Sequence, residues 1–276
     1  MAEITAEQVK QLRGRTGAGI LDAKKALVET GGDMEKAVDV LRAKGLAKAA
    51  QKGGREALAG AVALRVEGNK GVIIEVNSET DFVARNEKFQ AFVSDVLKAS
   101  KGAVPVKING VPADEAVAGQ IAAIGEKIAL GRADSVEVEN GAVIAYIHNR
   151  LADGMGLIGV LLGIESSAPE EKIREVGEQV AMHVAAAAPL FLDVSDVDEA
   201  SASREKAVAR EKAIASGKPA EIAEKMVAGS LKKYYDEVVL NEQAFFIDPS
   251  KKIKDVVASI GGGARIAKFV RFQIGK

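Results

Sequence analysis

The sequence predicts an α+β fold in which helical segments flank a core of antiparallel sheets. Two stretches, 61–76 and 141–164, carry runs of Val and Ile around short polar turns, and each is followed by apolar residues at helical spacing. The first 45 residues and the segment 195–240 show helical periodicity alone. We therefore predict an N-terminal three-helix bundle, a linker, two related strand-strand-helix subdomains with antiparallel sheets, and an inserted antiparallel helical hairpin.

The N-terminal bundle, 1–45, is divided into three short helices by glycine. Residues 16–19, Thr-Gly-Ala-Gly, separate the first two helices. Gly31 and Gly32 end the second helix, and the carboxylate of Asp33 can cap the third. A core this small is typical of a module that docks on another protein.

A linker and the first core subdomain, 60–140, follow the bundle. Residues 46–59 mix Ala and Gly with basic side chains, a composition that suits an exposed linker. The subdomain begins with a hairpin whose turn lies at 67–70. One helix then carries Phe89, Phe92, Val93 and Val96, and a further helix is predicted over 114–132 with the apolar stripe Ile121, Ile124 and Ile128.

The second subdomain, 141–194 with 241–276, repeats this order of elements. Two strands precede a helix, and a last strand at 268–274 is expected to join the same sheet. Residues 195–240 predict the helical hairpin, with its reversal at the Ser-Gly-Lys-Pro sequence of 216–219. One arm is expected to face the other through Val208 and Ile214 against Ile222, Met226 and Val227.

Composition limits the classes of function. The 276 residues include 38 basic and 39 acidic side chains, so no bulk charge attracts nucleic acid or an anionic membrane. The chain contains no cysteine, which excludes disulfides and thiolate metal sites. No apolar run approaches the ~20 residues of a membrane helix, and the N-terminus lacks the features of a secretion signal. We expect a cytoplasmic protein.

Signatures of enzymes are missing from the sequence. His148 and His183 have no second histidine at metal-ligand spacing. The glycine-rich segments 14–19 and 261–263 lack the preceding strand and the Gly-Lys-Ser/Thr ending of a phosphate loop. Because no nucleophile with a neighbouring base can be identified, the sequence predicts no enzyme, no metal site and no cofactor.

The remaining candidate is the turn at 80–85, which carries Asp81 and Phe82. Phe82 is seven residues from Phe89, so it can extend the apolar stripe of the helix, and Asp81 can belong to a capping box that starts at Ser78. Alternatively, a helix start at Asn86 would leave Phe82 on a separate turn. The corresponding segment of the second subdomain, 165–171, has no aromatic residue. The pattern alone leaves a core role and a functional role open.

Several segments together resemble the elongation factor Ts family, the bacterial guanine-nucleotide exchange factors of elongation factor Tu. The resemblance runs in order along the whole chain. It includes the residues at 12–27, the TDFVARN turn at 80–86, Ile124-Gly125-Glu126, AMHVAAAAP at 181–189, the segment 216–235 and the closing FVRFQIG strand.

The resemblance implies a protein that binds elongation factor Tu with GDP, disturbs its magnesium and nucleotide site, and lets GDP leave. The pair matching Asp81 and Phe82 would reach the partner beside its magnesium ion, with the aromatic ring between two partner helices. The N-terminal bundle would dock on the GTPase domain. The residues that the resemblance implies for partner binding are Thr80, Asp81, Phe82, Val83, Ile20, Lys24, Ile124, Gly125 and His148.

Alternatives remain for several of these features. By pattern alone, His148 suits a surface residue at a strand end and Lys24 a solvated helix lysine. A rival hypothesis from another class is a nucleic-acid-binding protein that uses the bundle and the basic linker residues from Lys48 to Arg55, although the near-neutral charge opposes it. Members of the resembling family differ in whether they form homodimers, and the sequence leaves both states open.

Overall fold

The computed structural model describes residues 4–215, 217 and 219–275. It confirms the α+β class, because helices pack on the outside of sheets whose neighbouring strands are antiparallel. Within the described residues, no helix combines the length and apolar character needed to cross a membrane.

The three predicted N-terminal helices are present. They are α1 (Ala6–Thr16), α2 (Ile20–Glu29) and α3 (Met34–Lys52). Gly17 ends α1 in the left-handed conformation with φ of 68°, and the Asp33 carboxylate caps α3 by accepting from the backbone N–H of Lys36. The helices meet around a small aliphatic core of Leu12, Ala23, Ala26, Leu27 and Ala37.

The segment predicted as an exposed linker is helical over its first half. Helix α3 continues to Lys52 because its alanine-rich C-terminal half has packing to gain against the core. Gly45 lies so close to a core helix that a Cβ there would be 3.3 Å from the carbonyl oxygen of Ala118. The bundle is therefore fixed to the core by a continuous helix.

The first unit of the core contains three strands in the order β1, β2, β5, with its helices on one face. Its elements are β1 (Ala59–Glu67), β2 (Lys70–Ser78), α4 (Asp81–Ala84), α5 (Glu87–Ala99), the small hairpin β3 (Lys107–Ile108) and β4 (Val111–Pro112), α6 (Ala113–Ile124) and β5 (Ile128–Glu137). Apolar residues of β1 and β2 pack against α5 and α6 around Phe89.

The helix predicted over 114–132 is wrong in its second half. Helix α6 ends at Ile124 because Gly125 takes the left-handed conformation with φ of 90°. Ile128, assigned to the helical stripe, instead begins β5 and pairs with Ser78 of β2. Strand β5 is thus an element that the periodicity did not predict.

The second unit repeats the arrangement, as predicted, and the closing strand joins its sheet. Its elements are β6 (Gly141–Ala152), β7 (Met155–Glu165), α7 (Glu170–Ala187), the hairpin helices α8 (Glu199–Ala215) and α9 (Ala220–Val238), then α10 (Ile253–Ala258) and β8 (Arg265–Gln273). Strand β7 pairs with both β6 and β8, and α7 and α10 cover one face.

The two arms of the helical hairpin meet through Met226 and Val227 of α9, as predicted, but α8 contributes smaller residues than predicted. The contact is made by Ala209 and Ala213 of α8 against Val227 of α9, with Met226 packed beside them. Val208, Ile214 and Ile222 are exposed instead. Alanines four residues apart allow the helices to approach closely, which larger side chains would prevent. Of the predicted reversal at 216–219, Ser216 and Lys218 lie outside the described residues.

The sheets of the two units face each other, an arrangement that the sequence pattern did not predict. Strand β1 pairs with β7 at one corner, where Val62 is opposite Gly156 and Ala63 opposite Met155. Beyond this corner the sheets pack face to face on a shared apolar layer that includes Val62, Ile73, Val136, Val143, Leu161 and Val270. The order of layers is helix, sheet, sheet, helix. The turn that carries Phe82 follows β2, the strand between β1 and β5.

Candidate functional site

The turn after β2 separates Phe82 from the helix that follows. Helix α4 is a single turn, and α5 begins at Glu87, where the Asn86 side chain caps it by accepting from the backbone N–H of Lys88 at 2.9 Å. Phe82 is 81% exposed, whereas Phe89 is fully buried. The interpretation of Phe82 as an extension of the core stripe is therefore wrong, and the alternative helix start at Asn86 is confirmed.

Burial of two neighbours gives Phe82 its outward direction. Val83 and Ala84 are buried and pack in the same cluster as Phe89. Consecutive residues of a helix point about 100° apart, so anchoring this pair leaves Asp81 and Phe82 in solvent. The predicted capping box is absent, because the Ser78 hydroxyl donates to the carbonyl oxygen of Thr80 at 2.9 Å.

A second loop holds the start of this turn. The backbone N–H and the hydroxyl of Thr80 both donate to the carboxylate of Glu126, at 2.9 to 3.1 Å. Glu126 directly follows Ile124 and Gly125, and the left-handed Gly125 directs the chain from α6 toward β2. The structure therefore brings the predicted residues of the turn together with Ile124 and Gly125.

The same loop is linked to the end of α3. The Glu79 carboxylate accepts from the backbone N–H of Lys127 at 2.5 Å and pairs with Arg55 at 3.1 Å. The ammonium group of Lys127 donates to the carbonyl oxygens of Gly53 and Arg55, at 2.8 and 2.6 Å. The hydrogen bond from Lys127, and then the guanidinium of Arg55, lower the pKa of Glu79, so this carboxylate is ionised at neutral pH.

We call the five residues of this network the clasp: Arg55, Glu79, Thr80, Glu126 and Lys127. The sequence analysis did not assign Glu79, Glu126 or Lys127 any role. Glu126 and Thr80 are 46 positions apart, and no local pattern connects them.

His148 lies on a different part of the same surface region. It is exposed on β6, and its Nδ1 is 3.1 Å from the hydroxyl of Tyr146. The β6–β7 turn that follows packs Met155 into the cluster that also holds Val83 and Ala84. The structure thus places the strand end that bears His148 on the first unit, outside the hydrogen bonds of the clasp.

The predicted residues of the bundle lie on the exposed face of α2. Ile20 is more than half exposed and Lys24 is also exposed, one helical turn further on. Leu21 and Val28 extend this apolar face, and neither was predicted. The sequence indicates this face. Helix α2 buries Ala23, Ala26 and Leu27 as one apolar stripe, and its other apolar residues must therefore lie on a second face.

Two of the basic residues proposed for nucleic-acid binding, Lys48 and Arg55, are engaged in ion pairs. Lys48 lies 3.3 Å from Asp22, and Arg55 pairs with Glu79 within the clasp. A cleft of ≈ 800 Å³ separates the bundle from α6, and there Arg42 pairs with Glu115 at 3.4 Å. Among the described residues, no group of three or more His, Cys, Asp or Glu side chains could hold a metal ion.

These features define a class of protein that acts by binding another macromolecule. The exposed aromatic ring, the adjacent carboxylate and the apolar face of α2 offer contact surface, and the clasp holds the start of the turn that carries Asp81 and Phe82. The profile of the family described as Elongation factor TS matches residues 79–276.

Relatives match the chain over its entire length. Proteins named Elongation factor Ts from Zymomonas mobilis subsp. mobilis, Paramagnetospirillum magneticum and Rhodospirillum rubrum are 50%, 51% and 48% identical to it. Each alignment covers 100% of this chain and 93 to 94% of the relative. The chain belongs to the elongation factor Ts family.

Proposed function

We propose that this protein is the guanine-nucleotide exchange factor of elongation factor Tu and supports translation elongation in the cytoplasm. It binds the GDP complex of its partner, disturbs the magnesium and nucleotide site, and releases GDP without a covalent reaction or a cofactor of its own. The observation that carries the proposal is the exposure of Phe82 on a turn held by the clasp, in a chain of this family.

The free energy of burying Phe82 suits its use as a wedge, that is, as a side chain that inserts between two helices of the partner. Burying a Phe side chain contributes roughly 1.5–3 kcal/mol, and this energy favours the partner's open state if the receiving pocket exists only in that state. Coupling between two sites is reciprocal, so a factor that weakens GDP binding a hundredfold is itself weakened a hundredfold by GDP, which corresponds to about 2.7 kcal/mol. A turn that is already rigid loses little conformational entropy on binding.

Asp81 adds charge next to the wedge. Its exposed carboxylate can accept hydrogen bonds that, in the closed partner, hold the magnesium ion and its water ligands. Magnesium requires near-ideal octahedral geometry. Loss of a few hydrogen bonds that orient its ligands therefore weakens the magnesium site of the partner. Asp81 and Phe82 would then act together, one on the metal environment and the other on the helices around it.

The other predicted residues take supporting roles in this proposal. Ile124, Gly125 and Thr80 border the wedge, and His148 adds a polar contact from β6. Ile20 and Lys24 dock the bundle on the GTPase domain. Val83 is only 8% exposed, so its side chain anchors the turn from below and offers the partner little surface.

Release of labelled GDP from elongation factor Tu tests the proposal. We expect catalytic amounts of the protein to accelerate release and Phe82→Ala to lose most of the acceleration while remaining folded. A matched control is Val106→Ala, which removes an equally exposed apolar side chain from the loop before β3 and should behave as the unchanged protein. Absence of acceleration at micromolar concentrations, or full activity of Phe82→Ala, would contradict the proposal.

A further inference from the structure

The clasp joins three segments that are far apart in the sequence. The segment after α3 contributes Arg55, the two residues directly after β2 are Glu79 and Thr80, and the loop after α6 contributes Glu126 and Lys127. Each of these contacts is polar and lies near the surface. The clasp therefore adds little apolar burial, and a role other than core stability has to explain its arrangement.

We infer that Glu126 is a positioning residue for nucleotide exchange, because its two hydrogen bonds to Thr80 fix the direction in which α4 presents Phe82. This inference rests on the proposed function of Asp81 and Phe82 as the wedge. Glu126 acts through Thr80 and need not touch the partner's nucleotide or its magnesium ion.

The need for an external contact follows from the length of α4. A helix of four residues is not stable by itself. Fixing the backbone angles of the first turn costs more free energy than its few hydrogen bonds contribute. Its N-cap residue, Thr80, makes no side-chain hydrogen bond to the turn's own backbone. Glu126 supplies the missing restraint from outside by accepting from both the backbone N–H and the hydroxyl of Thr80.

The other end of the turn is held by different means. Val83 and Ala84 are buried in the cluster around Phe89, and this burial does not depend on Glu126. Loss of Glu126 should thus leave the fold intact and free only the start of the turn. The ring of Phe82 would then sample several directions, and only a fraction of the molecules would match the partner's pocket.

Two measurements on Glu126→Ala and Glu126→Gln test the inference. In the free protein, amide hydrogen exchange at residues 80–85 should become faster in Glu126→Ala, with no change in α5. In GDP release from elongation factor Tu, the maximal rate should fall about tenfold, the effect expected for two lost hydrogen bonds of ordinary net strength. The half-saturating concentration should change less. Glu126→Gln should be intermediate, because its amide oxygen can still accept from Thr80 but lacks the charge that strengthens the bonds to a carboxylate.

Glu178→Ala is the matched control, because Glu178 is an exposed carboxylate on α7, away from the clasp. A Glu126→Ala protein with unaltered exchange at 80–85 and an unaltered maximal rate would overturn the inference. Faster hydrogen exchange throughout the molecule would also overturn it, since that result indicates a general structural role. If the unsubstituted protein fails to accelerate GDP release, the proposed function itself is wrong, whereas an active protein with an insensitive Glu126 contradicts only the inference.

Discussion

His183 is a buried histidine whose environment favours the neutral form. The side-chain amide of Gln243 donates to the carbonyl oxygen of Glu237 at 2.7 Å, so its oxygen faces the ring, 2.9 Å from His183 Nε2. This geometry assigns the proton to Nε2. The Nδ1 atom is buried without a hydrogen-bond partner in the described part of the chain, and the rings of Phe245 and Phe246 pack beside it.

A dependence of stability on pH follows from this environment. Burial lowers the pKa of His183 below its ordinary value of 6.5, with the hydrogen bond to Gln243 opposing it. As the pH falls through 6.5, the histidine of the unfolded chain takes up a proton before the histidine of the folded protein does. The free energy of unfolding should therefore fall as the pH decreases, by at most about 1.4 kcal/mol per pH unit. Urea denaturation between pH 7.5 and 5.5 measures the slope.

The comparison uses His183→Gln, which keeps an amide donor but does not titrate. We expect a smaller slope in this variant than in the unsubstituted protein. Equal slopes in the unsubstituted protein and His183→Gln would show that His183 is not the responsible group.

At the scale of residues, the sequence indicated an exposed Phe82 as one of two alternatives, but it did not indicate the contacts that hold its turn. Asn86 marks a local helix start, and the second unit lacks an aromatic residue at the matching position; both features can be recognised from neighbouring letters. The contact of Thr80 with Glu126 depends on how two distant loops meet, so no pattern within a short window indicates it.

At the scale of elements, the two hairpins repeat one structural detail. Gly60 is the second residue of β1 and lies opposite Asn77, and Gly141 is the first residue of β6 and lies opposite Glu165. Their φ angles are 136° and 137°, and an added Cβ would lie 2.2 and 2.1 Å from a carbonyl oxygen of the partner strand. Only glycine fits such a position, which supports the interpretation of the core as a duplicated unit.

We predict that Gly60→Ala and Gly141→Ala each reduce the free energy of unfolding by about 3 kcal/mol, because backbone strain and a backbone clash combine. The matched control is Gly68→Ala in the β1–β2 turn, where φ is also positive but no atom lies within 4 Å of the added Cβ. It should cost about 1 kcal/mol. Urea denaturation of the three variants checks the prediction, and equal effects at all three positions would contradict it.

At two places the predicted bounds or contacts of an element are wrong, because tertiary structure outweighs the periodicity of the sequence. Ile121, Ile124 and Ile128 fit one helical stripe, yet Gly125 ends the helix and Ile128 belongs to a strand. In the hairpin, the larger apolar residues were expected to form the contact, but close packing of α8 on α9 favours Ala209 and Ala213. Hydrophobicity alone does not indicate how closely two helices approach.

At the scale of the whole molecule, the face-to-face packing of the sheets depends on residues that the pattern could not pair. Gly159 of β7 leaves room for Val62 and Ile73 of the first unit, since an added Cβ would lie 2.6 Å from Val62. The sequence predicted helices that flank the sheets, but the opposite face of each sheet is also buried. The sequence shows that the strands are apolar on both sides, but it does not show that the sheet of one unit packs against the sheet of the other.

Arg132 connects the two units at the edge of this sandwich. It lies on β5 and pairs with Glu75 of β2 at 2.6 Å. It also donates to the carbonyl oxygen of Gln273 on β8, and its guanidinium carbon lies 4.6 Å from the centre of the Phe272 ring. Glu75 is 7% exposed, so its charge depends on Arg132 and on the side-chain amide of Asn77 for compensation.

We predict that Arg132→Ala lowers the free energy of unfolding by about 1–3 kcal/mol, less than for a fully buried pair because Arg132 itself is half exposed. Lys268→Ala, which breaks the exposed pair between Lys268 of β8 and Asp134 of β5, should cost less than about 1 kcal/mol. If the uncompensated Glu75 charge is the cause, adding Glu75→Gln to Arg132→Ala should recover part of the loss in urea denaturation. Strictly additive effects of the two substitutions would instead assign the loss to the contacts of Arg132 with Phe272 and Gln273. In that case these contacts of Arg132, and not its neutralisation of Glu75, connect the two units.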